Sequence, residues 1–153
     1  MTRLCSDILK RLTGKTLCTA ESCTGGGIGA ALTAISGSSA VYKGGIISYT
    51  NEVKHDLLGV DYAVLDTCGA VSAPVAEAMA AGARKALHAD IAVSVTGLAG
   101  PGGDDFGNPV GRVYIGYADE KRITSRMFTF SGDREAVRRQ AAQEALKLII
   151  EMI

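Results

Sequence analysis

Ser22 stands just after Glu21 and just before a run of glycines, in Glu21-Ser22-Cys23-Thr24-Gly25-Gly26-Gly27. A serine hydroxyl becomes an acyl-transfer nucleophile when a base takes its proton and N–H groups hold the resulting oxyanion. The backbone N–H groups of Thr24, Gly25 and Gly26 would lie close to it. Serine also caps helices, and a helix is expected after this loop, so Ser22 reads on local pattern as an N-cap as well. Cys23 is a second nucleophile candidate. Without a histidine partner it reads as a buried thiol.

Such a serine needs a base. The chain has two histidines, His55 and His88, and neither has a fitting neighbourhood. Lys54 follows a strand-like segment in Ser48-Tyr49-Thr50-Asn51-Glu52-Val53-Lys54. Burial or nearby positive charge lowers a lysine's pKa and makes it a base. At the same sheet edge as Ser22 it would serve that purpose; the alternative is a solvated helix lysine. Arg134 and Arg138 share a helix face four residues apart, next to Arg139, and form either a solvated stripe or an anion clamp. Asp104 and Asp105 are adjacent loop carboxylates, too few to define a metal site.

These residues need elements to hold them. Leu4, Ile8, Leu9 and Leu12 recur at helical spacing up to Gly14. Lys15 to Ala20 reads as a strand, and Ile28, Ala31, Leu32 and Ile35 as a helix, so the first glycine loop joins a strand end to a helix start. Gly45 to Thr50 is strand-like, Asn51 is placed to cap a short helix, and residues 59–71 read as irregular. Ser72 caps a long Ala-rich helix with Pro74 in its first turn. Ile91 to Val95 is an apolar run of buried-strand type. A second glycine loop covers Thr96 to Pro109. Val113–Ala118 and Ile123–Phe130 form a hairpin, and Ser131 and Asp133 open a final helix. The order predicts an α/β fold: a three-layer α/β/α sandwich on a mixed, mostly parallel sheet of about five strands, closed by a C-terminal hairpin plus helix. Both glycine loops then leave the carboxyl ends of strands, where such sheets bind ligands.

The first loop also satisfies G-x-G-x-x-A from Gly25 to Ala30. A dinucleotide fingerprint requires an acidic residue about 20 positions on, at the end of the next strand. That strand ends Ile47-Ser48-Tyr49-Thr50, so the fingerprint fails. No Lys-Ser or Lys-Thr follows the glycines, which excludes a phosphate loop of the Walker type.

Composition narrows the classes further. The 153 residues predict one domain over 1–153. Sixteen basic and sixteen acidic residues cancel, and aromatics make up 5% without a tryptophan. A nucleic-acid partner is therefore not expected. The four cysteines lack zinc-ligand spacing and read as reduced thiols, no metal or cofactor is expected, and no apolar run suits a signal peptide or membrane span. A cytoplasmic protein is expected, with a homodimer the favoured assembly.

Six separated segments carry a family likeness. They are Thr19-Ala20-Glu21-Ser22-Cys23-Thr24-Gly25-Gly26, Tyr49-Thr50-Asn51-Glu52-Val53-Lys54, Gly69-Ala70-Val71-Ser72, Thr96-Gly97-Leu98-Ala99-Gly100-Pro101, Pro109-Val110-Gly111 and Ser131-Gly132-Asp133-Arg134. In this order they resemble the C-terminal domain of the competence/damage-inducible protein CinA and its stand-alone form, nicotinamide-nucleotide amidase. The resemblance implies hydrolysis of nicotinamide mononucleotide to nicotinic acid mononucleotide and ammonia by a Ser–Lys mechanism. It implies Ser22 as nucleophile, Lys54 as base and Tyr49 as a proton relay or positioning group. It also implies substrate binding by Thr24, Gly25, Gly26, Asn51, Thr96, Gly97 and Gly100, with Arg138 or Arg139 near the phosphate. The family often carries a lysine before Pro-Val-Gly, where this chain has Asn108, which bears on nucleotide preference. The alternative is a non-catalytic nucleotide-binding or regulatory domain on the same fold.

Overall fold

Strands β1 (Leu17–Glu21) and β3 (Ile91–Gly97) are buried along almost their whole length, which requires cover on both faces. The computed structural model describes residues 1–153. It places β1 and β3 inside a five-stranded sheet of order β2-β1-β3-β4-β5, with β2 (Tyr42–Ile47), β4 (Arg112–Ala118) and β5 (Ile123–Thr129). β1 pairs in parallel with β2 and β3; β3–β4 and β4–β5 are antiparallel. The predicted α/β sandwich and hairpin are both present.

Alternation along the strands sends two kinds of side chain to the two faces. Leu17, Val93, Val95, Val113, Ile115 and Tyr117 pack with helices α1 (Thr2–Arg11), α2 (Gly27–Thr33) and α6 (Arg134–Met152) in the larger core. Fully burying a side chain such as Ile28 or Leu32 there contributes roughly 1.5–3 kcal/mol. The opposite face carries Cys18, Ala20, Ala92 and Ala118 beneath α5 (Ala73–Ala86). These small residues let the Ala-rich helix lie close to the sheet. Ser94 Oγ donates to Ala76 O at 2.5 Å, and a Cβ on Gly116 would run into that same carbonyl. Helix α3 (Asn51–Leu58) and helix α4 (Tyr62–Cys68) complete this layer, with Leu58 and Leu65 in its core.

Four local expectations are corrected. The second strand begins at Tyr42 and ends at Ile47, three residues earlier than expected at each end. Tyr42 starts it because the parallel ladder begins there, opposite Leu17 of β1, and the Tyr42 hydroxyl also meets Thr19 Oγ1 at 2.8 Å. Thr50, not Asn51, caps α3, its Oγ1 accepting from Val53 N. Residues 59–71 contain α4, capped by Asp61, whose side chain accepts from Ala63 N. With only Leu65 fully buried, its apolar periodicity is too weak to see in the sequence. Ser72 occupies the N-cap position of α5, yet its hydroxyl donates back to Gly69 O instead of capping.

Candidate active site

Ser22 continues β1 by one residue, its N–H donating to Val95 O of β3 at 3.0 Å. The chain then turns, with Gly25 N bonded to Ser22 O and left-handed backbone at Gly25 and Gly26. Glycine takes these angles without steric strain. The N-cap of α2 is Gly26, so Ser22 caps nothing. The helix start is satisfied by Glu21 instead. Its buried carboxylate accepts from Ile28 N at 2.9 Å, Gly29 N at 3.0 Å and Thr24 Oγ1 at 2.8 Å. These amides therefore bind a carboxylate of the chain itself, and sequence reasoning missed Glu21 in this role. The signal available was an acidic residue just before a helix lacking a Ser, Thr, Asp or Asn cap.

Lys54 reaches the same point from α3. Its side chain is 1% exposed, which overturns the picture of a solvated helix lysine. Nζ lies 3.1 Å from Ser22 Oγ, 2.8 Å from Ser48 O and 3.5 Å from Tyr49 O. Burial pulls its pKa from 10.5 to about 8, against a smaller upward pull from Cys23. Cys23 itself is pushed up to about 11, chiefly by burial, and so holds its proton near neutrality. That makes it a poor nucleophile beside Ser22.

Above this pair opens a cavity of about 650 Å³, within the range of small-molecule sites. Ser22, Tyr49, Asn51, Lys54, Thr96, Gly97 and Gly100 all line it. Thr96 Oγ1 donates to Ala70 O, tying β3 to the turn before α5. Thr24, Gly25, Gly26, Arg138 and Arg139 do not line it. Arg138 lies behind the first glycine loop, with Nε donating to Cys23 O at 2.9 Å and Nη2 to Thr24 O at 3.4 Å. The arginine at the cavity is Arg134, which donates to Gly100 O at 2.6 Å and to the Tyr49 hydroxyl at 3.1 Å. Asp133 N-caps α6 through Ala136 N and so fixes Arg134 at its first turn. No group of three or more acidic, histidine or cysteine side chains is gathered to hold a metal.

The family model described as CinA C-terminal domain matches residues 1–153. The chain belongs to the CinA C-terminal domain family. A CinA-like protein of Synechocystis is 48% identical over 141 residues, 90% of this chain and 34% of that protein. One of Geotalea daltonii is 50% identical over 130 residues, 85% of this chain and 32% of that protein. The chain thus spans about a third of the length of these relatives. Among solved structures, an Escherichia coli CinA superfamily protein superposes with a TM-score of 0.97 at 33% identity, covering 99% of this chain and 90% of the other. The competence/damage-inducible protein CihA of Agrobacterium tumefaciens gives 0.94 at 40% identity, covering 98% and 93%. The CinA-type second loop here places Asn108 as a tie: its Nδ2 donates to Asp104 Oδ2 at 2.7 Å and Val71 O at 3.2 Å.

Proposed function

We propose that this domain is an amidohydrolase that deamidates nicotinamide mononucleotide to nicotinic acid mononucleotide and ammonia. The observation that carries this reading is the buried contact between Lys54 Nζ and Ser22 Oγ at the cavity wall. A neutral lysine has two N–H bonds and one lone pair. Ser48 O and Tyr49 O are placed to accept the two N–H bonds, which leaves the lone pair for the Ser22 hydroxyl proton.

In this mechanism Ser22 Oγ attacks the carboxamide carbon as its proton passes to Lys54. The Cys23 N–H, next in the chain and given to no backbone carbonyl, holds the oxyanion. Lys54 then gives its proton to the departing nitrogen, and ammonia leaves a Ser22 ester. Neutral Lys54 next takes a proton from water, whose oxygen attacks the ester. The C–Oγ bond then breaks, Lys54 returns its proton to Ser22 Oγ, and the acid product loses its own proton to solvent and leaves as the carboxylate. Arg134 keeps N–H groups beyond those given to Gly100 and Tyr49, and these meet the phosphate. This assigns to Arg134 the contact that the resemblance gave to Arg138 or Arg139. The Tyr49 hydroxyl pairs with Arg134, so its role is positioning that guanidinium. The four free thiols suit a reducing compartment, and the cytoplasm is the proposed location.

The test is ammonia release from nicotinamide mononucleotide, with and without EDTA, by the parent protein and by Lys54→Ala. Metal-independent release that is lost in the variant supports the amidase. A well-folded parent that binds the nucleotide without releasing ammonia supports a binding domain instead.

A further inference from the structure

Phe106 is 48% exposed and belongs to neither hydrophobic core, yet its ring is held in place. The ring lies over Gly69, which sits at φ +77°, and a Cβ there would come within 2.6 Å of it. Its backbone is fixed as well. Asp104 Oδ1 accepts from Phe106 N and Asn108 N, each at 3.1 Å, and Asn108 ties this turn to Val71 O. The segment is thus fastened to the turn before α5 at two points. The ring lines the cavity that holds Ser22 and Lys54, and Asp104 and Asp105 line it alongside. Burial pushes the Asp104 carboxyl up, but hydrogen bonds from the Asn108 side chain and from backbone N–H groups outweigh it and hold the carboxyl below its usual range.

An aromatic face attracts a cation, and a nearby carboxylate adds to that attraction. A flat, positively charged heteroaromatic ring suits such a wall better than a neutral one. The ring of an oxidised nicotinamide nucleotide is a quaternised pyridinium; that of the reduced nucleotide is a neutral dihydropyridine. We propose that Phe106, with Asp104 and Asp105 beside it, is the ring platform of this site and selects a cationic pyridinium amide over its neutral, reduced counterpart. This inference rests on one part of the amidase reading, the seating of a nicotinamide ring next to Ser22.

The experiment compares dissociation constants of oxidised and reduced nicotinamide mononucleotide, measured by calorimetry on Ser22→Ala so that nothing turns over. Both ligands carry the same phosphate and ribose, so their ratio isolates the ring. The expected ratio is about tenfold in favour of the oxidised form. It falls to about twofold in Ser22→Ala/Phe106→Leu and is retained in Ser22→Ala/Phe106→Tyr. Asp105→Asn in the same background lowers it part-way. Equal affinities for the two forms, or a ratio untouched by Phe106→Leu, overturn the proposal. Ammonia release by the parent is followed in parallel. Release with a ratio of one overturns the platform and leaves the amidase standing. A tenfold ratio without release supports the platform and overturns the amidase.

Discussion

Lys54 Nζ lies 3.1 Å from Ser22 Oγ, although 32 positions separate the two residues in the chain. Adjacent parallel strands create this meeting. β1 delivers Ser22 at its carboxyl end, β2 ends beside it, and Ser48 N donates to Glu21 O to extend the ladder by one residue. Thr50 then starts α3, whose first turn carries Lys54 back over the strand ends. The Ser48 carbonyl fixes the amine, and burial does the rest.

The pH dependence of catalysis follows from that burial. With a pKa of about 8, about a tenth of the Lys54 amines are uncharged at pH 7. Only this form accepts the Ser22 proton. Thus kcat/KM should rise about tenfold per pH unit up to about pH 8 and level off above it. A profile already flat from pH 6 to 9 would exclude Lys54 as the base.

The same amine carries a stability signature. Between about pH 8 and 10.5 the unfolded chain holds a proton at Lys54 that the folded chain has released. Raising pH across this window therefore stabilises the fold, by on the order of 3 kcal/mol in total, whereas below about pH 8 the penalty for the buried charge is constant. Lys54→Met removes the titrating amine. Relative to this variant, the parent's Tm should climb by several degrees between pH 7.5 and 10. Parallel Tm curves would contradict a lowered pKa.

The sheet and the two glycine loops were legible in the sequence because each leaves a strong pattern; the Ser22–Lys54 pairing came only with the family resemblance, since the local pattern left Ser22 open as an N-cap and Lys54 open as a solvated helix lysine. Continuous apolar runs mark β3, and glycines at Gly25 and Gly26 mark a turn that other residues resist. Residues whose role is set by contacts across the fold left no such pattern. Glu21 looks like any strand-end carboxylate until α2 is docked on it. Arg134 and Arg138 share one helix face, and only the packing of α6 sends one to the cavity and the other to the loop carbonyls. No sequence pattern pairs Phe106 with Gly69, and only the folded loop brings the ring over that residue.

Glu21→Gln tests the support beneath the nucleophile. The substitution replaces one acceptor oxygen with a donor that faces other donors, in a side chain 2% exposed. A loss of about 2–3 kcal/mol is expected, seen as a Tm drop of about 5–10 °C. A variant as stable as the parent would show that α2 is held in some other way.

The two arginines should separate kinetically. Arg134→Ala should raise KM for the mononucleotide by about 10- to 100-fold with little change in kcat, because it removes an anion contact made throughout the reaction. Arg138→Ala loosens the Cys23 and Thr24 carbonyls and should lower kcat more than it raises KM. Steady-state kinetics on both variants decides the assignment; the reverse pattern would return the phosphate to Arg138.

The most direct measurement is ammonia release by Ser22→Ala, Lys54→Met and the double variant, each confirmed folded by circular dichroism. A nucleophile and its base act as one unit, so each single variant should lose at least about 10³-fold in kcat, and the double should be hardly worse than either single. A single variant retaining near-parental turnover, or losses that multiply in the double, would contradict a Ser22–Lys54 mechanism.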